Sequence, residues 1–140
     1  MRKPARPLTR VLVIDDDCSV STAIQAILAG RHCETAIASR AYAGIRALQQ
    51  SIFDVVMLDI FMPGLNGLDV IEHIRRSSLI PIIVMSGFRL RSSTESVDYL
   101  GLAKQRGATL CMPKPFQAVQ LIEAVESTLC SPCLAEGPRS

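Results

Sequence analysis

A chain of 140 residues suits one compact domain, and with 49% hydrophobic but only 4% aromatic residues its core must be aliphatic. The formal charge is +2, yet Arg2, Lys3, Arg6 and Arg10 all fall in the first ten residues, so the body is mildly acidic and has no basic stripe for nucleic acid. No run approaches the roughly 18 apolar residues of a membrane span, and no adequate apolar stretch follows the basic start, which excludes a membrane protein and a secretion signal and leaves a cytoplasmic one.

The five cysteines are odd in number and irregular in spacing apart from "CSPC" at 130–133. That pattern suits free thiols in a reducing compartment.

Short aliphatic runs alternate with helical patterns along the chain. Residues 10–14, "RVLVI", read as a buried strand. Residues 18–29 carry apolar side chains at 20, 23, 24, 27 and 28, a helical stripe, with Gly30 as its stop signal. A short strand is expected at 33–38 and a weaker helix, interrupted by Gly44, at 41–50. A second strongly apolar strand follows at 54–60, then a turn, then a helix at 67–76. Residues 81–86 are another buried strand, followed by a loop and a helix expected from Thr94 to residue 106. The last strand is expected at 108–112 and the last helix at 116–130, before a frayed tail.

Strands that are apolar throughout are buried on both faces, as in a parallel sheet with helices on both sides. The expectation is a doubly wound α/β fold with five parallel strands. Ligands in such sheets sit beyond the carboxyl ends of the strands. The residues there are Asp15 and Asp16 after the first strand, Asp59 after the third, Ser86 after the fourth and Lys114 after the fifth.

Crowded carboxylates repel, and "DDD" at 15–17 is costly unless something compensates it. Asp15, Asp16 and Asp59 together make a hard, oxygen-rich site that suits Mg2+. Ser86 adds a hydroxyl donor and Lys114 a mobile positive charge. A metal, a cation, a hydroxyl and a carboxylate nucleophile are the parts needed to move a phosphoryl group.

The segments "VLVIDDD" (11–17), "DVVMLDIFMPGLNGLDVI" (54–71), "PIIVMSG" (81–87) and "GATLCMPKPF" (107–116) resemble the receiver domain of bacterial two-component response regulators, of the stand-alone type. The resemblance implies strand order 2-1-3-4-5, a basic arm at 1–9, the domain at 10–130 and a tail at 131–140. It makes Asp59 the phosphoacceptor. Asp15, Asp16, Asp59 and the backbone carbonyl of Phe61 would hold Mg2+. Ser86 would bond the phosphoryl group, Lys114 would pair with one of its oxygens, and the Lys114–Pro115 bond would be cis. Asp17 would cap the first helix, Pro63 and Gly64 would shape the turn after the acceptor, and Gly67 would open the next helix.

Three departures stand out. Cys111 occupies a position where many receivers carry Tyr or Phe, whose rotation couples the hydroxyl to the output face; a cysteine is too small for that. Pro113 lacks a backbone donor and fits only at an edge or strand end. The Ser86–Lys114 separation is also long, with Arg89, Arg91, Ser92, Ser93 and Thr94 in the extra segment.

The resemblance implies a switch phosphorylated by a histidine kinase. It signals by protein contact through the face of the fourth helix, fifth strand and fifth helix, with no nucleic acid and a possible homodimer. No output domain is expected within the chain, and no enzymatic activity beyond its own Mg2+-dependent phosphorylation and dephosphorylation. A phosphorelay intermediate or phosphate sink serving a histidine phosphotransfer protein uses the same chemistry. An unphosphorylated pseudo-receiver is disfavoured by the complete acidic set. Flavodoxin-like proteins and haloacid-dehalogenase-like phosphatases fit less well, because carboxylates after strand 1 repel phosphate and "DDDCS" lacks the needed Thr.

Overall fold

A computed structural model describes residues 8–62, 66–87 and 99–136. Most of the arm before residue 8, the turn residues Pro63 and Gly64, the loop residues Arg89, Arg91, Ser92, Ser93 and Thr94, and the side chains of Cys130 and Cys133 lie outside the described residues.

Five strands and five helices alternate. They are β1 (Thr9–Ile14), α1 (Cys18–Ala29), β2 (Cys33–Ala38), α2 (Ala41–Gln50), β3 (Val55–Asp59), α3 (Gly67–Arg75), β4 (Ile82–Ser86), α4 (Tyr99–Arg106), β5 (Leu110–Pro113) and α5 (Ala118–Glu136). The strands form one parallel sheet in the order β2-β1-β3-β4-β5. The doubly wound expectation holds.

The period-2 alternation of the strands sorts the core into two layers. Leu12, Ile14, Val56, Leu58, Ile82 and Val84 face Leu68, Ile71 and Ile74 of α3 and Ala103 of α4. Val11, Val13, Val55, Met57, Ile83 and Met85 face Ile24 and Leu28 of α1 and Leu121 and Val125 of α5. Every residue of β3 and β4 is buried. Full burial of one such aliphatic side chain contributes about 1.5–3 kcal/mol, so both faces of the sheet are anchored and its carboxyl edge is held rigid.

Local signals set the helix starts. Asp17 caps α1 by accepting from the Ser19 and Val20 N–H groups, and Asn66 caps α3 by accepting from Leu68 N–H at 2.8 Å. Gly44 lets α2 lie directly on Ile14 of β1, where a Cβ would collide with that side chain. Gly67 opens α3 against the backbone of Ile60, and a Cβ there would meet Ile60 Cγ2 and O at 2.8 Å.

Some boundaries differ from the sequence reading. β1 begins one residue early, at Thr9. α1 ends where expected, but Gly30 is right-handed, with φ −78°; the left-handed residue is His32, with φ 63°. Asp54 leaves the expected third strand because its carboxylate accepts the N–H of Arg10 at 2.8 Å. α4 is described from Tyr99, so the expected start at Thr94 falls outside the described residues. The last strand is shifted to Leu110–Pro113. Pro113 ends this edge strand and is exposed, which disposes of its missing donor. The last helix starts at Ala118 and runs through Pro132 to Glu136 instead of stopping at residue 130. Proline removes one intrahelical donor there without ending the helix.

The close approach at Gly67 makes a direct test. Gly67→Ala should lower unfolding free energy by about 1–3 kcal/mol through overpacking, while Gly30→Ala, whose nearest neighbour atom is 3.8 Å from the added carbon, should be near neutral. Urea denaturation of both variants measures the difference.

Candidate functional site

Strand register gathers the acids. Ile14 pairs with Leu58, so Asp15 leaves β1 level with Asp59 at the end of β3. On the other side, Asp59 pairs with Met85 and Ser86 with Pro113. The Lys114 N–H donates to the Ser86 carbonyl at 2.7 Å, which fixes Lys114 at the same edge. The Lys114–Pro115 peptide is cis, as the resemblance implied.

Repeated turns aim the carboxylates. Asp15 Oδ1 accepts from Asp17 N–H at 2.9 Å, and Asp59 Oδ1 accepts from Phe61 N–H at 3.0 Å. An aspartate bonded to the backbone two residues on is a favoured local turn. Each carboxylate thus has one oxygen tied down, and the other oxygens converge on Lys114. Its Nζ lies 2.9 Å from Asp15 Oδ2 and 3.4 Å from Asp59 Oδ2. Asp15 and Asp59 are buried; Asp16 is exposed. One oxygen from each of the three acids lies within 4.8 Å of the others.

The titration behaviour reflects this crowding. Burial, with Asp15's charge adding to it, raises the Asp59 carboxyl from its ordinary 3.8 to about 6, against the opposing pull of Phe61 N–H and Lys114. Burial pulls the Lys114 ammonium down, but its hydrogen bond to Asp15 and the charges of Asp59 and Asp15 together raise it.

A cleft of about 1040 Å³ opens over these groups, lined among others by Asp16, Asp59, Phe61, Gly87, Lys114 and Phe116. Ser86 is buried at the end of β4 and does not line it; its neighbour Gly87 does. Cys111 sits in mid-β5, half-buried against the α3 and α4 core layer and away from the cleft. His32 and His73 are exposed and lie outside the cleft lining. Among the described residues, Asp15, Asp16, Asp59 and Lys114 are therefore brought together, with Ser86 adjacent through the backbone.

The sequence reading assigned Phe61 only a carbonyl. The structure adds its N–H as the clamp on Asp59 and its ring as a wall of the cleft. The available signal was an aspartate two residues before it, followed by Pro and Gly turn residues.

Asp59 binds its proton more tightly in the folded state than in the unfolded chain. Its ionisation therefore erodes stability as pH rises from about 4 through about 6, and the full cost persists above that. Asp59→Asn should stabilise the metal-free protein by about 1–3 kcal/mol at pH 7.5. The gain should shrink towards zero near pH 4. Denaturant titrations in EDTA at both pH values read it.

Comparison with known proteins identifies the family and the fold. The family model described as response regulator receiver domain matches residues 11–126. The DNA-binding response regulator MtrA of Mycolicibacterium paratuberculosis is 32% identical over 120 residues, covering 86% of this chain and 51% of MtrA. The transcriptional regulatory protein CpxR homolog of Haemophilus influenzae is 27% identical over 122 residues, covering 87% of this chain and 51% of its own. The chain spans about half the length of these relatives. A crystal structure of a response regulator receiver domain protein from Clostridium thermocellum has a TM-score of 0.79 at 27% identity, covering 91% of this chain and 99% of that one. The expectation of no nucleic-acid partner gains no support here, since MtrA is named as DNA-binding; the acidic balance of the body bears only on this chain's own surface. No helix among the described residues is long and apolar enough to cross a membrane. With its sheet order, its carboxylate cluster and a family match over most of its length, the chain belongs to the response regulator receiver domain family.

Proposed function

We propose that this receiver accepts a phosphoryl group on Asp59, with Mg2+ bound by the acidic cluster, and signals through protein contact. The observation that carries the reading is Asp59 itself: a buried carboxylate at the floor of an open cleft, with two more carboxylates and a lysine ammonium converging on it.

The residues fit a hard divalent cation. Three carboxylate oxygens within 4.8 Å of one another, with no soft donor among them, match the oxygen-only preference of Mg2+. Asp15, Asp16, Asp59 and the carbonyl of Phe61 would hold it. Bound there, Mg2+ supplies the positive charge that offsets the repulsion among the acids and the charge of phosphoryl oxygens.

An Asp59 carboxylate oxygen attacks phosphorus in the phosphohistidine of a kinase or phosphotransfer protein. The O–P bond forms as the P–N bond breaks, and the imidazole leaves with the bonding pair. Lys114, already 3.4 Å from Asp59 Oδ2, is placed to exchange a carboxylate partner for a phosphoryl oxygen. Ser86, at the end of the adjacent strand, supplies a hydroxyl donor to the same group. The product carries about −1.5 to −2 charges on its phosphoryl group, and the face of α4, β5 and α5 transmits the change to a partner. The same transfer chemistry serves a relay, with a histidine protein as the receiving partner. No catalysis beyond the receiver's own phosphorylation and dephosphorylation is part of this reading.

Intact mass spectrometry after incubation with Mg2+ and a small-molecule phosphodonor tests it. Wild type should gain one phosphoryl group; Asp59→Asn should gain none, and EDTA should abolish the gain. Asp54→Asn, a carboxylate at the opposite end of β3, should behave as wild type. An unmodified wild type, or an Asp59→Asn protein modified to the same extent, would refute the assignment.

A further inference from the structure

The acceptor is joined to α4 by two aromatic rings. Phe61 lies two residues beyond Asp59, and its N–H holds Asp59 Oδ1 at 3.0 Å. Its ring meets the Tyr99 ring edge to face, with centroids 5.0 Å apart and planes at 80°. Tyr99 is the first described residue of α4. Both rings are half-buried and rest on the core layer that also carries Cys111. Cys111 brings no ring to this cluster. At its far end α4 is tied to α3 by the Arg106–Glu72 ion pair at 3.1 Å.

We propose that the Phe61–Tyr99 ring pair is the link by which phosphorylation of Asp59 repositions α4. This rests on the phosphoacceptor reading above. In the unmodified protein the Asp59 carboxylate shares its charge between Oδ1, held by Phe61 N–H, and Oδ2, held by Lys114. Forming the acyl phosphate makes one of those oxygens the bridging oxygen of a mixed anhydride and the other a neutral carbonyl, and the negative charge moves out to the phosphoryl oxygens. The charge-assisted acceptor that fixes Phe61 N–H is then lost or weakened. Phe61 N–H must then take a new acceptor, and its ring, which rests on the α3 and α4 core layer and touches Tyr99, carries the adjustment to that ring. The displacement passes to Tyr99 through the edge-to-face contact, a specific geometry that a change of ring angle disrupts. Tyr99 lies about two turns before Arg106, whose pair with Glu72 anchors the far end, so the helix at Tyr99 moves about a held end. Phe61 and Tyr99 act as positioning residues; their side chains take no part in the transfer.

The test combines intact mass with hydrogen–deuterium exchange of the α4 backbone in the full chain, with and without Mg2+ and a small-molecule phosphodonor. Wild type should gain the phosphoryl group and show a changed exchange rate in α4. Tyr99→Leu should gain the same mass and lose the α4 response, and Tyr99→Phe, which keeps the ring, should retain it. Tyr99→Met should match Tyr99→Leu and takes its place should that variant fail to fold. Two results overturn the proposal while leaving the phosphoacceptor reading intact: a phosphorylated wild type with unchanged α4 exchange, or a Tyr99→Leu protein that responds as wild type. A wild type that gains no mass overturns both.

Discussion

The bridge from Lys114 to Asp15 and Asp59 is the contact on which the arrangement of the site depends. Its Nζ lies 2.9 Å from one carboxylate and 3.4 Å from the other. These residues come from the ends of three strands, β1, β3 and β5. Parallel pairing and two apolar layers bring those ends to one edge of the sheet. The bridge then ties the edge together above the core. Two unit charges about 4 Å apart near a protein surface interact with about 4 kcal/mol. The cost of burying the charges offsets that attraction, and at Asp59, raised to about 6, burial outweighs it. A single lysine shared by two buried acids, with an exposed third acid beside them, leaves the cluster short of positive charge.

This shortage connects fold to chemistry. The burial that anchors β3 also raises Asp59 to about 6, so the carboxylate is costly to ionise where it sits. A hard cation relieves that cost and keeps the carboxylate charged. The same charge deficit explains why a lysine is needed close by, and its side chain, 16% exposed, reaches the cleft. The aromatic contact of Phe61 with Tyr99 then ties the residues after Asp59 to α4, on a chain whose β5 offers a cysteine instead of a ring.

Much of this could be read in the residues. The all-apolar runs of β3 and β4 dictated burial on both faces, and that dictated a parallel, doubly wound sheet. Carboxylates placed just past those runs had to lie at the carboxyl edge. Asp17 was legible as a cap because an aspartate before a helical stripe has few other uses. Other features were not legible. Asp54 follows a loop and precedes valines, so pattern alone placed it in the strand; only its bond to Arg10 N–H shows that it stands outside. Pro132 reads as a stop, yet the helix backbone continues through it to Glu136. Gly30 reads as a stop and does end α1, but with a right-handed φ of −78°; the positive φ of 63° falls on His32. The Phe61–Tyr99 contact joins residues 38 positions apart and has no periodic or local signature.

Three acids and one lysine make a charge-deficient cluster that a divalent cation would complete. The most direct measurement is the thermal midpoint of wild type and of Asp15→Asn/Asp16→Asn across a Mg2+ titration at pH 7.5, with NaCl at matched ionic strength as the control. Wild type should rise in midpoint with Mg2+, by an amount corresponding to about 2.7 kcal/mol at a hundredfold excess over the dissociation constant, and the double variant should not. A wild-type midpoint that is flat in Mg2+, or an equal rise in the double variant, would contradict the account.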